Sequence, residues 1–170
     1  MKLNDIAILS LMSSILFVVQ FALGFIPNVE LVSLLIIIYT LFFGYKALFI
    51  IYIFVLLQGI SYGFGLWWIN YLYVWTILFF ITRVFRKEKS PFVWAIISAI
   101  YGLSFGALCS LPYFFMGGVS AMFAYWTSGI LFDIAHGLGN FTVALVLFKP
   151  LYYVFSKLVP KIYKIEEGNP

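Results

Sequence analysis

The sequence predicts an all-α integral membrane protein: one membrane domain over residues 1–170, built as a six-transmembrane-helix bundle with both termini cytoplasmic. Three observations predict this. Hydrophobic residues make up 65% of the chain and charged residues 9%, against roughly 45–50% and about 25% in an ordinary soluble domain. The apolar residues fall in long runs with short breaks between them. The ten Lys and Arg residues occupy only alternate breaks and the two chain ends.

A membrane helix takes about 20 residues, because a rise of about 1.5 Å per residue must cover about 30 Å of hydrocarbon. The runs predict spans at about 6–26, 31–44, 47–63, 67–82, 92–111 and 129–148. The first run has Lys2 before it and small residues, Ala22 and Gly24, near its end, as a signal peptide does. Its uncharged stretch outruns the usual apolar region of about 7–15 residues, so an uncleaved span is expected. The second and third runs are separated by Gly44-Tyr45-Lys46. One continuous span would bury Lys46 mid-membrane at a cost of about 2.5–3.5 kcal/mol, and a turn at Gly44 avoids it.

With six spans, Lys2, Lys46, Arg83, Arg86, Lys87, Lys89, Lys149, Lys157, Lys161 and Lys164 all fall on one side. The positive-inside rule makes that side cytoplasmic. Basic residues that flank spans, without forming a stripe, argue against a nucleic-acid partner. The opposite loops, Pro27–Glu30, Ser61–Leu66 and Pro112–Ser128, carry a single charge, Glu30. The third is long, rich in aromatics and contains Gly117-Gly118. It reads either as a binding loop or lid, or as an extension of the two flanking helices.

The stretch LFDIAHGLGNF, Leu131 to Phe141, places an acid, the chain's one histidine and an amide inside an apolar span. Trp126, Gly129, Asp133, His136 and Asn140 share one helical face at i, i+3, i+4 spacing. Ionisable groups within spans are costly, and they face a bundle interior or a wet cavity. Asp133, His136 and Asn140 are therefore candidate ligand-binding residues, with Trp126 beside them; the alternative is that they only tie helices together. A metal site would need a third ligand from Glu30 or Asn70, and no spacing supports one.

The stretch SYGFGLWWINYLYVW sets Trp67, Trp68, Tyr71, Tyr73 and Trp75 around Asn70. Trp67 and Trp68 suit the aromatic belt of a membrane interface. Asn70 and Tyr71 lie a turn deeper and, with Trp67, suit a flat polar ring held by stacking and hydrogen bonds. Gln58 and Glu30 are placed to close the same pocket. In the first span, Ala7, Ser10 and Ser14 form a small-residue face of the kind that lets membrane helices approach closely.

The size, the six spans, the inside termini and the opening LSLMSSILFVVQFALGFIPNVELVSLLIIIYTLFFGYKALFI resemble the substrate-binding S components of energy-coupling factor (ECF) vitamin transporters. The resemblance implies a subunit of the bacterial cell membrane that captures a vitamin or precursor from outside. It also implies partners: a transmembrane coupling protein and two ATPase subunits. Docking on the coupling protein falls to the first helix, at Ala7, Ser10 and Ser14, where the family carries alanines. The family's substrate sites lie in the region of Trp67, Asn70, Tyr71, Trp126, Asp133, His136 and Asn140.

The expected function is thus high-affinity capture of a small heteroaromatic of pyridine, pyrimidine or thiamine type, with no chemistry and no cofactor of its own. No Gly-x-x-x-x-Gly-Lys loop is present for ATP hydrolysis. The alternatives are a self-sufficient proton-coupled carrier using Asp133 and His136, and an intramembrane hydrolase. The hydrolase would need Cys109, Ser110 or Ser128 as nucleophile near His136, and neither Gly-x-Ser-x-Gly nor His-Glu-x-x-His occurs.

Overall fold

In a computed structural model of the protein, residues 3–26 and 30–167 are described. They form six α-helices: α1 (Leu3–Leu23), α2 (Val32–Phe43), α3 (Ala47–Tyr62), α4 (Leu66–Val84), α5 (Pro91–Cys109) and α6 (Leu111–Glu167). No strand occurs among the described residues. Among the described residues, four stretches are long and apolar enough to cross a membrane: Asp5–Leu23, Val32–Tyr62, Pro91–Cys109 and Leu111–Lys161. This is the make-up of a helical membrane protein.

Side-chain pairs set the helix directions. Ser13 donates to the Ile50 carbonyl at 3.0 Å and Gln58 to Gln20 at 2.7 Å, so α1 and α3 run parallel. Trp68 donates to the Val55 carbonyl and Tyr52 pairs with Thr76, which makes α3 and α4 antiparallel. Tyr101 donates to the Val74 carbonyl and Asn70 to that of Cys109, so α5 runs against α4. Trp94 stacks on Phe148 while Gly106 meets Asp133, so α6 runs against α5 and alongside α2.

α2 is the axis of the bundle. Every residue from Val32 to Thr40 is buried. Its sequence, VSLLIIIYTLFF, is apolar all round, the pattern of a helix with no polar face to present. α1, α3, α4 and α6 pack against it and α5 packs on α4 and α6, with outward residues exposed: Leu11, Val18 and Phe21 on α1, Ile100 and Leu103 on α5, Leu131 and Leu138 on α6.

The break between α2 and α3 is where the sequence placed it. Gly44 has φ +56°, a backbone state that side chains with a Cβ rarely adopt. A 3₁₀ turn over Gly44–Lys46 follows. Lys46 reaches Asp5 in the first turn of α1 at 2.7 Å, and Arg83 lies over the Tyr45 ring at 4.7 Å. Arg83, Arg86, Lys87 and Lys89 lie at or beyond the end of α4 that carries this contact. That end of the bundle is basic. α5 then starts cleanly, with Ser90 capping the Val93 N–H and Pro91 in the first turn, the positions those residues favour.

The stretch 112–128 is helical. α6 begins at Leu111, kinks at Gly117 and Gly118, and then continues without a break through 129–148 and beyond. The stretch extends the flanking helices, and two of its residues, Tyr125 and Ser128, line a cavity. The kink is sharp enough to stack Tyr113 on Tyr125, with ring centroids 4.1 Å apart. Gly118, at φ +71°, supplies the left-handed residue that the reversal needs.

α5 and α6 touch backbone to backbone. A Cβ on Gly102 would lie 3.0 Å from both the Gly137 Cα and the His136 carbonyl oxygen. A Gly102→Val side chain has nowhere to go without separating the helices. The expected loss is about 1–3 kcal/mol, the usual cost of overpacking. Thermal melting in detergent checks it, and an unchanged midpoint would contradict the packing.

Candidate functional site

The polar residues gather at the end of the bundle opposite the basic one, between the C-terminal turns of α1 and α5, the N-terminal turns of α2 and α4, and α6. Each helix contributes through its own local chemistry. At the start of α2, the Glu30 carboxylate accepts hydrogen bonds from the Ser33 N–H at 3.0 Å and from the Ser33 hydroxyl. A carboxylate at a helix N-terminus satisfies an otherwise unpaired N–H and opposes the positive end of the helix dipole. The outer Glu30 oxygen, Oε1, lies 3.4 Å from Nε2 of His136 on α6. One turn further along each helix, the Asn140 amide donates to the Ser33 hydroxyl at 3.4 Å. The α2–α6 seam is therefore polar at this end, and aromatic at the other, where Phe42 meets Tyr152 and Tyr39 meets Phe155.

Asp133 points the other way, toward α5. Its Oδ1 accepts the Gly106 N–H at 2.9 Å. A Cβ on residue 106 would collide with the carboxylate, so the acid fits because that residue is glycine. Asp133 is 8% exposed, and its second oxygen, Oδ2, is buried with no partner among the described residues.

Between these groups lies a cavity of about 530 Å³. Glu30, Asp133 and His136 form its polar wall. Tyr71, Trp75 and Phe105 form an aromatic wall that continues onto the His136 ring, whose centroid is 5.0 Å from that of Phe105. Gln20 joins them from α1, donating to the Tyr71 hydroxyl at 3.1 Å. On the α6 side, Tyr125, Ser128, Gly129 and Phe132 complete the rim. A second space of about 300 Å³ adjoins it across Gln20, Gly24 and Tyr71, and is lined further by Gln58 and Trp67.

The residues expected from sequence divide accordingly. Glu30, Tyr71, Asp133 and His136 line the main cavity. Gln58 and Trp67 line the adjoining one, with Trp67 edge-on to Tyr71 at 5.3 Å. Asn140 supports the wall from behind through Ser33. Asn70 is buried between α4 and α5, donating to the Cys109 carbonyl at 3.3 Å and accepting from the Tyr73 hydroxyl at 2.9 Å. Trp126 packs on Phe123 and lines neither space. Pro27, Asn28 and Val29, of the first loop opposite the cations, lie outside the described residues.

Cys109 and Ser128 line the cavity, but Ser128 donates to the Tyr125 carbonyl, and Ser110 donates to that of Ala107. Among the described residues, no three His, Cys, Asp or Glu side chains converge as metal ligands would. On α1, Ala7 and Ser14 are exposed and Ser10 is half-buried.

Gln20, Trp75 and Phe105 were not singled out from sequence. Gln20 carried a usable signal, as a lone amide inside an apolar span, the same signal that marks Asn70. Trp75 stood only among the clustered aromatics of α4, and Phe105 carried none, since its helical spacing is that of an ordinary core aromatic. No family model matches the chain, and no curated protein or solved structure matches it.

Two opposing influences set the protonation of Glu30. Burial pushes its carboxyl up; the His136 ring and the Ser33 hydroxyl and N–H outweigh burial and hold it below the ordinary carboxylate value. A depressed value means that the folded state resists protonation more than the unfolded chain does. The resulting stability is full above the unfolded value of about 4.3 and is lost as pH falls through the folded value. The wild type should therefore outmelt Glu30→Gln at neutral pH, by a margin that shrinks below about pH 4.3. Melting curves of both proteins across that range check it, and a constant margin would remove the pairing.

Proposed function

We propose that the chain is the substrate-binding S component of an ECF-type importer of the bacterial cell membrane. In this reading the chain crosses the bilayer six times, with both termini cytoplasmic. It takes a vitamin or vitamin precursor, a small heteroaromatic, from outside. Movement across the membrane is driven by a coupling protein and two ATPase subunits, docked through the α1 face at Ala7, Ser10 and Ser14.

The observation that carries this reading is the cavity at the end of the bundle away from the cations. Its volume falls within the roughly 300–1,000 Å³ of small-molecule sites. Its wall pairs aromatic faces with a few buried polar groups, the combination that holds a flat ring and fixes its orientation. The basic end of the bundle supports the assignment of sides through the positive-inside rule. The absence of a phosphate-binding loop from the sequence supports a subunit that draws its energy from partners.

The self-sufficient proton-coupled carrier is the second reading, and the Glu30–His136 pair near Asp133 favours it, since such groups make proton relays in transporters. The two readings differ in their need for ATP. Uptake into cells expressing the chain should vanish when every ECF ATPase is deleted; uptake that persists identifies the carrier. For the site, the purified protein should quench its tryptophan fluorescence with one member of a vitamin panel. Affinity for that member should fall at least tenfold, about 1.4 kcal/mol, in His136→Ala. Unchanged affinity takes His136 out of the site.

A further inference from the structure

We infer that the cavity is built for an organic cation, a ring or amine bearing one positive charge, seated against Asp133 and the Tyr71–Trp75–Phe105 wall. This rests on the binding reading above and specifies its ligand. Three observations converge on it.

The first is the charge of the wall. Two carboxylates, Glu30 and Asp133, line the cavity, and among the described residues no Lys or Arg does. Glu30 is already matched: Ser33 supplies two hydrogen bonds and His136 faces it. Asp133 has no such match. Its Oδ1 takes one backbone N–H, and its Oδ2 is buried without a partner among the described residues. A buried carboxylate oxygen left in this state is costly unless a donor or a cation reaches it.

The second is the shape of the surroundings. Tyr71 and Trp75 meet edge to face at 5.4 Å, Trp75 and Phe105 at 5.7 Å, and Phe105 and His136 at 5.0 Å. The wall is thus continuous and aromatic, and it is linked through His136 to the helix that carries Asp133. Aromatic faces attract a cation through their quadrupoles, most strongly where water is excluded. An acid on one side and rings on the other is what a charged ring or a protonated amine needs, and it repels a carboxylate-bearing guest.

The third is the glycine at 106. The acid is admitted to this position because α5 carries no side chain opposite it. Helix packing alone is served as well by an apolar residue at 133, which would leave nothing unpaired. Both carboxylate oxygens lie against the Gly106 position, and only Oδ1 is hydrogen-bonded there.

The test uses the whole purified protein and size-matched probes differing in charge: N1-methylnicotinamide against nicotinamide, and thiamine against its neutral ring isostere 3-deazathiamine. Tryptophan fluorescence or calorimetry reads affinity. The cationic member of a pair should bind about tenfold tighter or more, the direction that cation–π and charge-assisted contacts give. The gap should close in Asp133→Asn, which keeps an oxygen for the Gly106 N–H and mimics the protonated acid. The wild-type comparison needs no variant, so a poorly folding Asp133→Asn leaves the test intact. Equal affinity within each pair, preference for a neutral or anionic probe, or a gap that survives Asp133→Asn overturns the cation assignment while leaving a binding subunit standing. No binding by any probe or any vitamin in the wider panel overturns both.

Discussion

Where α5 crosses α6, Gly102 meets the Gly137 Cα and the His136 carbonyl directly, and Gly106 makes room for the Asp133 carboxylate. The candidate site depends on that close approach. In an apolar medium, helices gain little from expelling oil-like tails, so contact area and hydrogen bonds must hold them together. Small residues supply the first, and the Gly106 N–H to Asp133 bond supplies the second. Because α6 lies so near α5, its polar face turns partly into the seam with α2 and partly into the space beside α4. Asn140 and His136 go to the seam, where Ser33 and Glu30 meet them. Asp133 turns to α5, at the edge of the cavity. A wider crossing would detach the acid from α5 and blur that division.

The polar groups of this end are joined across helices rather than within them. Gln58, Gln20 and Tyr71 form a chain from α3 through α1 to α4. Asn70 and Tyr73 tie α4 to the last turn of α5 through the Cys109 and Leu108 carbonyls. Each link satisfies a group that would otherwise be buried unpaired, a penalty of roughly 1–3 kcal/mol. The opposite half is held by ring contacts such as Trp94 on Phe148 and Phe42 on Tyr152. The molecule is thus polar-bonded at the cavity end and aromatic-packed toward the basic end.

The elements were legible in the sequence because membrane helices announce themselves by unbroken apolar length, and the turn at Gly44 by a glycine and a lysine that could not stay buried. The helix over 112–128 was less legible: Pro112 and Gly117-Gly118 are turn residues, and helix propensity does not show whether a kink ends a helix or only bends it. For the site, charge and amide groups inside apolar runs pointed to Asp133, His136 and Asn140. They did not show which way each would face, because that depends on the rotation of α6 against α5 and α2. Trp126 shares their helical spacing but does not line the cavity, which opens onto the adjacent side of α6 carrying Tyr125, Ser128 and Phe132. Of the cavity's aromatic wall, Tyr71 was expected and Trp75 stood only among the clustered aromatics of α4, while Phe105 has the spacing of any core residue.

One further consequence follows from the position of α2. A helix of 12 residues rises about 18 Å, well short of a bilayer's hydrocarbon thickness of about 30 Å. Hydrophobic mismatch penalises lipid-facing surface, and from Val32 to Thr40 α2 has none. Thinner or thicker membranes would therefore tilt or strain the peripheral helices first. The central strut, with its carboxylate-capped tip, is shielded from lipid composition by its neighbours.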